Sequence, residues 1–513
     1  MYRILIFFIC FSTRLIAQEV PVKDTIVPSK GNPNEQLKEI KKEKKQLVTD
    51  SANGQPTKNP LIDTTIKNKY GDLLDDDTAY NKKYKFWRPA TQILGTNIFL
   101  IGFDRYILKE DFARIGFQSW SNNIKQGWEW DKDRFGVNFI GHPYSGSLYF
   151  NAARSNGFSY LQSIPFAVGG SLLWEYFGET TRPSYNDIVN TPISGAFLGE
   201  VLYRLSSNVL DDRTSGSERL FREIFAGIIS PMRGLNRLMQ GKSFRTTNKE
   251  VYQKEPLNIT LVAGMHKINE DAKVVFGKGP TNTMINLQFD YGNPFEDRHR
   301  KPFDLFRLRA EFSLGVGRKI LDNITGYGIL IGKNLQFGKL SMLIGGFQYY
   351  DYWDNKTFEL GAIGFGGGAL FKLPISKTSI LYTNVHLAVV PVAGNSTRFG
   401  PDTSQFRDYD YGGGLESKIE ASLTLGKYFT ASMVYHNYMI RTYVGPPGKN
   451  FISIFEPKIT LLVFKNLSIG YEHYVYSDNR YLDNFAAIRS TRTEQKIFLS
   501  LFLEHSQRKG RYH

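Results

Sequence analysis

The sequence predicts an α+β protein in which an N-terminal helical module precedes an antiparallel transmembrane β-barrel of about 12 strands. Three observations point there. Beyond Glu255, apolar and polar residues alternate in runs long enough to cross a membrane as tilted strands, which takes roughly 9 to 11 residues. Between about residues 84 and 245 the apolar residues instead form helix-like stretches punctuated by Pro and Gly. The chain opens on an export signal.

Residues 1–18 carry a basic Arg3, the apolar run ILIFFICF and a small Ala17 before Gln18, a secretory signal too short to span a bilayer, with cleavage expected near Ala17. Residues 19–83 are rich in Lys, Asp, Asn, Thr and Pro. Such a composition cannot bury enough apolar surface to offset the entropy of ordering, so this segment reads as a disordered polar tether. The 513 residues leave ample chain for two domains, and 38 Phe, 29 Tyr and 47 Gly suit a large β structure. The single Cys, Cys10, falls in the signal, so the mature chain offers neither a disulfide nor a thiolate metal site. The net charge of +15 owes much to the tether run LKEIKKEKKQ, and no nucleic-acid motif accompanies it, so nucleic acid is not an expected partner.

Order is expected from Phe86-Trp87-Arg88-Pro89, in a helical module over 84–245. QILGTNIFLIGFDRYIL reads as a helix, and Trp120, Trp128 and Trp130 suit interfacial anchoring or core packing equally. Pro143 fits the first turn of a helix through LYFNAARS that ends at Gly157. A second helix is expected after Pro165, through AVGGSLLWEYF. A third starts after Pro183 with Ser184 as N-cap and Asp187 three residues on; it runs to about Ser206, kinked at Pro192. Thr191, Gly195 and Gly199 recur every four residues, a small-residue stripe that admits a second helix closely. SERLFREIFAGIIS makes a fourth, amphipathic helix.

The barrel is expected over 255–505, followed by a basic tail at 506–513. In FRLRAEFSL, for example, Phe306, Leu308, Ala310, Phe312 and Leu314 alternate with Arg307, Arg309, Glu311 and Ser313. Twelve strands are predicted to begin near Leu257, Thr283, Phe303, Ile324, Leu340, Phe358, Thr378, Tyr409, Phe429, Ile452, Leu467 and Thr493, separated by turn formers such as Asn293-Pro294 and Gly445-Pro446-Pro447-Gly448. A soluble β-sandwich is the competing architecture; strand length, aromatic strand ends and the export signal favour the barrel.

Chemistry is concentrated between His142 and Arg204, where charges interrupt apolar helices and must find partners. Arg154, Glu175, Asp187, Glu200 and Arg204 can form a buried polar network, joined by Asn151, Ser184, Asn190 and Thr191; Glu200 and Arg204, four apart, can pair along one helix. Such a network can fix helix register, bind a polar headgroup, or assist a hydrolysis. His142, with Glu175, Asp187 or Glu200 as its carboxylate, is the candidate base or ligand, although a His that hydrogen-bonds a helix end is the favoured reading of the residue. Ser145, Ser147 and Ser184 lack a nucleophile-elbow context. Neither HExxH nor a Cys cluster is present, so no metal ligands and no cofactor are assigned. The glycines Gly366 to Gly368 lie in a strand pattern and suggest lumen packing, not a phosphate loop.

The combination of His142, Pro143, Gly146, Tyr149, Ala153 and Arg154, then Trp174 and Glu175, then Pro183, Ser184, Asp187, Asn190, Thr191, Pro192, Gly195, Gly199, Glu200, Tyr203 and Arg204 resembles a bacterial domain-of-unknown-function family of envelope proteins, the DUF 3943 type. The resemblance implies a Gram-negative cell-envelope location and supplies no activity. The leading expectation is therefore an outer-membrane barrel whose helices plug or cap it and which binds or passes a lipid or small polar ligand. The alternative is an outer-membrane lipid hydrolase or acyltransferase using His142 with a carboxylate partner. Outer-membrane lipid and the barrel-insertion machinery are the expected partners.

Overall fold

Period-two alternation gives each strand one row for a lumen and one for the outside, and twelve strands here close on themselves. The computed structural model describes residues 86–505, apart from 249, 270–274, 276, 278, 316–319, 356, 397–408 and 427. The predicted signal, tether and basic tail lie outside the described residues.

The strands are β1 (Leu257–Asn269), β2 (Thr281–Tyr291), β3 (Phe306–Leu314), β4 (Leu321–Phe337), β5 (Leu340–Asp354), β6 (Glu359–Pro374), β7 (Ile380–Ser396), β8 (Tyr409–Leu425), β9 (Phe429–Val444), β10 (Gly448–Phe464), β11 (Leu467–Leu482) and β12 (Ile488–His505). Each pairs antiparallel with the next, and β12 closes on β1 from Leu257↔His505 to Asn269↔Thr493. Four strands begin earlier than the alternation indicated: β2 at Thr281 instead of Thr283, β4 at Leu321 instead of Ile324, β10 at Gly448 instead of Ile452, and β12 at Ile488 instead of Thr493. The ladder is made by backbone groups, so it continues through polar ends that carry no apolar alternation.

Contacts between distant strands identify the lumen row. Arg309 on β3 reaches Glu456 on β10 at 2.9 Å and Glu472 on β11 at 3.4 Å. Lys418 on β8 meets Asp351 on β5 at 2.5 Å, Arg307 pairs with Glu420, and Lys496 on β12 pairs with Glu311 on β3. Tyr438 and Tyr474 fill the space between them and are fully buried. Among Arg307, Arg309, Tyr327, Lys418, Glu420 and His436 a cavity of about 60 Å³ remains, room for a few waters. The opposite row carries Ile331, Leu387 and Val463, each more than 60% exposed.

The described chain divides into two compact units: residues 92–151, 160–202 and 254–505 form one, and 86–91, 152–159 and 203–253 the other. Seven α-helices occur among the described residues: α1 (Trp87–Phe103), α2 (Phe117–Gln126), α3 (His142–Arg154), α4 (Tyr160–Phe177), α5 (Asp187–Val209), α6 (Gly216–Ile229) and α7 (Pro231–Met239).

In the barrel's unit, the helical contacts fall on the outward row of the wall. Tyr349 and Asp351 face the lumen, so Tyr350 and Tyr352 face out; the same parity puts Tyr409, Tyr411 and Gly361 outside. Phe135 stacks on Tyr352, the Tyr350 hydroxyl donates to the Phe139 carbonyl, and the Phe139 ring lies over Gly361 and Gly394. The Tyr160 hydroxyl donates to Gln348 at 2.6 Å, and Phe197 stacks on Tyr350. The helices thus lean on the outer wall, while the lumen is occupied by strand side chains. Of the two placements expected for the helices, plug or cap, the lumen plug is not seen among the described residues. Glycines and tyrosines on the wall supply flat ground and hydroxyl partners for helices, and ion pairs already fill the interior.

A correction concerns α4, which starts at Tyr160 and holds Pro165 inside. The missing N–H forfeits one helical bond, to the Leu161 carbonyl. Tyr160, anchored to Gln348 and packed on Phe303, holds the preceding turn in place. Helices α3 and α5 cross at glycines: a Cβ on Gly146 would stand 1.8 Å from the Thr191 carbonyl oxygen, and one on Gly195 2.4 Å from the Gly146 backbone.

In the other unit, α6 and α7 meet at Gly227 and Gly234, and the interior combines an apolar cluster of Leu210, Ala226, Val251 and Tyr252 with an ionic one. Asp212, fully buried, accepts from Arg219 at 2.8 Å, from Arg237 at 3.0 Å and from Arg245. Glu223 takes Arg219 at 2.8 Å and Arg237 at 2.7 Å, and the Tyr252 hydroxyl donates to Asp212 at 2.7 Å.

Gly195→Ala forces the α3–α5 crossing apart, at a cost of about 1–3 kcal/mol as for an overpacked core. The expected outcome is a lowered thermal midpoint of the helical circular-dichroism signal, with heat-modifiable migration of the barrel retained. An unchanged helical midpoint would contradict the close crossing.

Candidate functional site

The site is built where three chain segments meet. The Val137–Gly141 π-turn runs directly into α3, placing His142 at the helix start. The Pro183-Ser184-Tyr185 strand bridges Glu129 in parallel, through Glu129 N–H to Pro183 O at 2.9 Å and Tyr185 N–H to Glu129 O at 2.8 Å. That bridge brings Asp131 and Asp133 beside the first turn of α5, which carries Asp187 and Thr191.

Asp131 is held from both sides. Its backbone N–H donates to Asn186 Oδ1 at 3.2 Å, and its carboxylate accepts from Asn138 at 2.9 Å and from the Tyr411 hydroxyl of the barrel wall at 2.7 Å. His142 Nε2 lies 3.5 Å from Asp187 Oδ1, and Nδ1 lies 3.2 Å from Thr191 Oγ1. Glu175 Oε2 accepts the Ser184 N–H at 2.7 Å, and the Ser184 hydroxyl donates to Asn186 at 2.7 Å. Donor atoms of Asp131, Asp133 and His142 all lie within 4.8 Å of one another.

Charge in this pocket is one-sided. Asp131, Asp133, Glu175, Glu179 and Asp187 act on one another electrostatically. Among the described residues none of the five makes an ion pair with Lys or Arg; His142 is the basic group in reach of Asp187. Burial, reinforced by the Asp131 charge, therefore pushes the Glu175 carboxyl up to about 8 and Asp187 well above the usual carboxylate range. Burial pushes the His142 imidazole below its ordinary value. Near neutral pH the pocket thus holds protons on carboxyls and a neutral imidazole, a set that can exchange those protons for a cation.

The other predicted residues divide. Asn151 donates to the Gly199 carbonyl at 3.1 Å, locking α3 to α5. Asn190 donates to the Asn138 carbonyl and accepts from Ser194 at 2.7 Å. Glu200 is fully buried in the barrel's unit, whereas Arg154 and Arg204 belong to the other unit, where Arg154 lies over the Tyr203 ring at 4.1 Å. The hydroxyl in reach of His142 is that of Thr191; Ser147 instead donates to the Tyr144 carbonyl at 2.6 Å, and Ser184 to Asn186. Of the glycine run, Gly368 faces the His386 ring on the lumen side.

Sequence reasoning missed Asp131, Asp133, Asn138, Asn186 and Glu179. The run Trp128-Glu129-Trp130-Asp131-Lys132-Asp133 was noted for its aromatics alone, although two acids two residues apart just ahead of His142 were a usable signal.

Fold and site together define a closed twelve-stranded antiparallel barrel carrying an external helical module with a carboxylate–histidine pocket. Residues 127–232 match the model of a family described as "Domain of unknown function (DUF3943)", and Asp131, Asp133, His142, Glu175 and Asp187 lie within the matched stretch. No curated protein matches the sequence. Among solved structures the barrel is similar to the NanC porin (7% identity, covering 47% of this chain and 98% of that one, TM-score 0.28). It is also similar to the outer membrane channel DcaP of Acinetobacter baumannii (7%, 48% and 96%, TM-score 0.23) and to the Pseudomonas putida toluene transporter TodX (9%, 49% and 90%, TM-score 0.21).

Glu175 gives the pocket a measurable pH dependence. Its carboxyl is protonated in the fold and ionised in the unfolded chain between about pH 4.5 and 8, so its share of stability is full below 4.5 and is lost as pH rises toward 8. Glu175→Gln should remove that slope: the wild-type unfolding midpoint falls across pH 5–8 more steeply than the variant's. Parallel slopes would show that Glu175 is not the protonated group.

Proposed function

We propose that the protein is a non-enzymatic receptor of the Gram-negative outer membrane, anchored by its barrel, that binds a small polar ligand of positive charge in the Asp131–His142–Asp187 pocket. One observation carries the reading: donor atoms of Asp131, Asp133 and His142 lie within 4.8 Å of one another with Asp187 3.5 Å from His142, and among the described residues none of these carboxylates makes an ion pair with Lys or Arg. Burial and the Asp131 charge favour the protonated forms of Glu175 and Asp187, and a bound cation would favour their ionised forms in place of those protons. The outer-membrane location is supported by exposed apolar residues on the outward strand row, including Ile331, Leu387 and Val463. Binding is favoured over free passage because ion pairs and tyrosines close the lumen. The hydrolase reading loses support with the nucleophile: His142 faces Thr191 on a buried helix turn, and the three candidate serines bond elsewhere or make no bond to it.

Full-length protein in detergent micelles, titrated at pH 7.5 with Mn²⁺, Ca²⁺ or spermidine, should gain thermal stability with one class of cation. At a hundredfold excess over Kd the gain is about 2.7 kcal/mol, a shift of several degrees at most. Asp131→Asn and Asp187→Asn should abolish the shift; no shift with any of the three probes would sink the proposal. In planar bilayers the wild-type protein should give no steady open-channel current, and a persistent conductance would overturn the closed-lumen reading.

A further inference from the structure

Helix α6 is inverted relative to a helix of a water-soluble domain. Such a helix turns its apolar stripe to the core and its charges to water. Here Arg219, Ala226 and Glu223 face inward, with both charged groups in the Asp212–Arg237 cluster, while Leu220, Phe221, Ile224, Phe225 and Ile228 point away from the unit. These five are 51–71% exposed and fall at spacings of one, three and four, a continuous arc of one helix face. Leu238 and Met239 at the end of the adjoining α7, and Phe244 just beyond, are 58%, 56% and 80% exposed. A helix with charged residues turned inward and a contiguous apolar face turned outward is matched to an apolar surrounding, and scattered exposure of single residues does not produce it.

The same chain names that surrounding. The unit ends at Gln253, and residues 254–256 lead into Leu257, the first residue of β1. Three residues span roughly 10 Å, so the unit is tied by a short link to a barrel whose own outward row bears the same chemistry. We propose that α6 lies in the plane of the membrane interface, with Leu220, Phe221, Ile224, Phe225 and Ile228 inserted among the acyl chains of one leaflet as a second, peripheral anchor. No helix of the described residues is long and apolar enough to cross a membrane, which agrees with an interfacial position. This rests on the barrel being membrane-inserted, as proposed above.

The test uses full-length protein with Cys10→Ser, reconstituted in phosphatidylcholine and phosphatidylglycerol vesicles, with one nitroxide at a time on Phe221→Cys, Phe225→Cys or, on the barrel wall, Leu387→Cys. Collision with lipid-soluble oxygen and with a water-soluble nickel chelate is then compared. Oxygen-dominated collision at all three positions is the expected result. Nickel-dominated collision at 221 and 225 with an oxygen-dominated 387 overturns the helix anchor while leaving the barrel intact. Protection from both reagents at 221 and 225 also overturns it, since the face would then be covered by protein, a second copy included. A nickel-dominated 387 would instead remove the membrane-inserted barrel itself.

Discussion

Closure of β12 on β1 is the constraint from which the rest of the structure follows. Thirteen residue pairs, from Leu257↔His505 to Asn269↔Thr493, remove the last free edge of the sheet and with it the one place where backbone groups would stay unpaired in an apolar surrounding. Once the sheet is a cylinder, strand parity has a fixed meaning. Every second residue is enclosed, so Arg307, Arg309, Lys418 and Lys496 keep their charges through enclosed partners, reaching Glu420, Glu456, Asp351 and Glu311 on non-neighbouring strands. The ladder determines who faces whom; the ion pairs then hold the cylinder's cross-section.

The other parity has two uses. Where it carries Ile331, Leu387 and Val463 it is suited to lipid, and where it carries Gly361, Tyr350, Tyr352, Tyr409 and Tyr411 it is a platform for helices. Tyr411 links platform to site, since its hydroxyl donates to Asp131. The position of that carboxylate relative to His142 is therefore set by the barrel as well as by the helices. A pocket mounted on a rigid wall keeps its like charges together against their repulsion, which a flexible loop would not do.

The two units solve the problem of buried charge in opposite ways. Asp212 is surrounded by Arg219, Arg237 and Arg245, and every charge there has a partner. Around Asp187 the carboxylates outnumber the bases, and protons stand in for the missing cations. The first arrangement is what a structural core needs, and the second is what a binding site can use.

The sequence alone determined the barrel, its strand number and most strand starts, because a two-residue period is a local property that reads the same in one dimension as in three. It also marked Thr191, Gly195 and Gly199 as a small-residue stripe, since spacing of four fixes a helix face. It could not say which side of the wall the helices occupy, because outward and inward rows were both partly polar: Tyr409 and Tyr411 alternate with Asp410 and Gly412, and only closure shows which row is enclosed. Nor could it assemble the site. Asp131 and Asp187 are brought together by a parallel bridge between Glu129 and Ser184, a long-range backbone pairing with no periodic trace in the chain. Tertiary structure likewise decided that the Glu175 carboxylate, near the end of α4, accepts the Ser184 N–H just ahead of α5, because a contact between two helices depends on where the chain turns between them, not on how far apart residues stand in sequence.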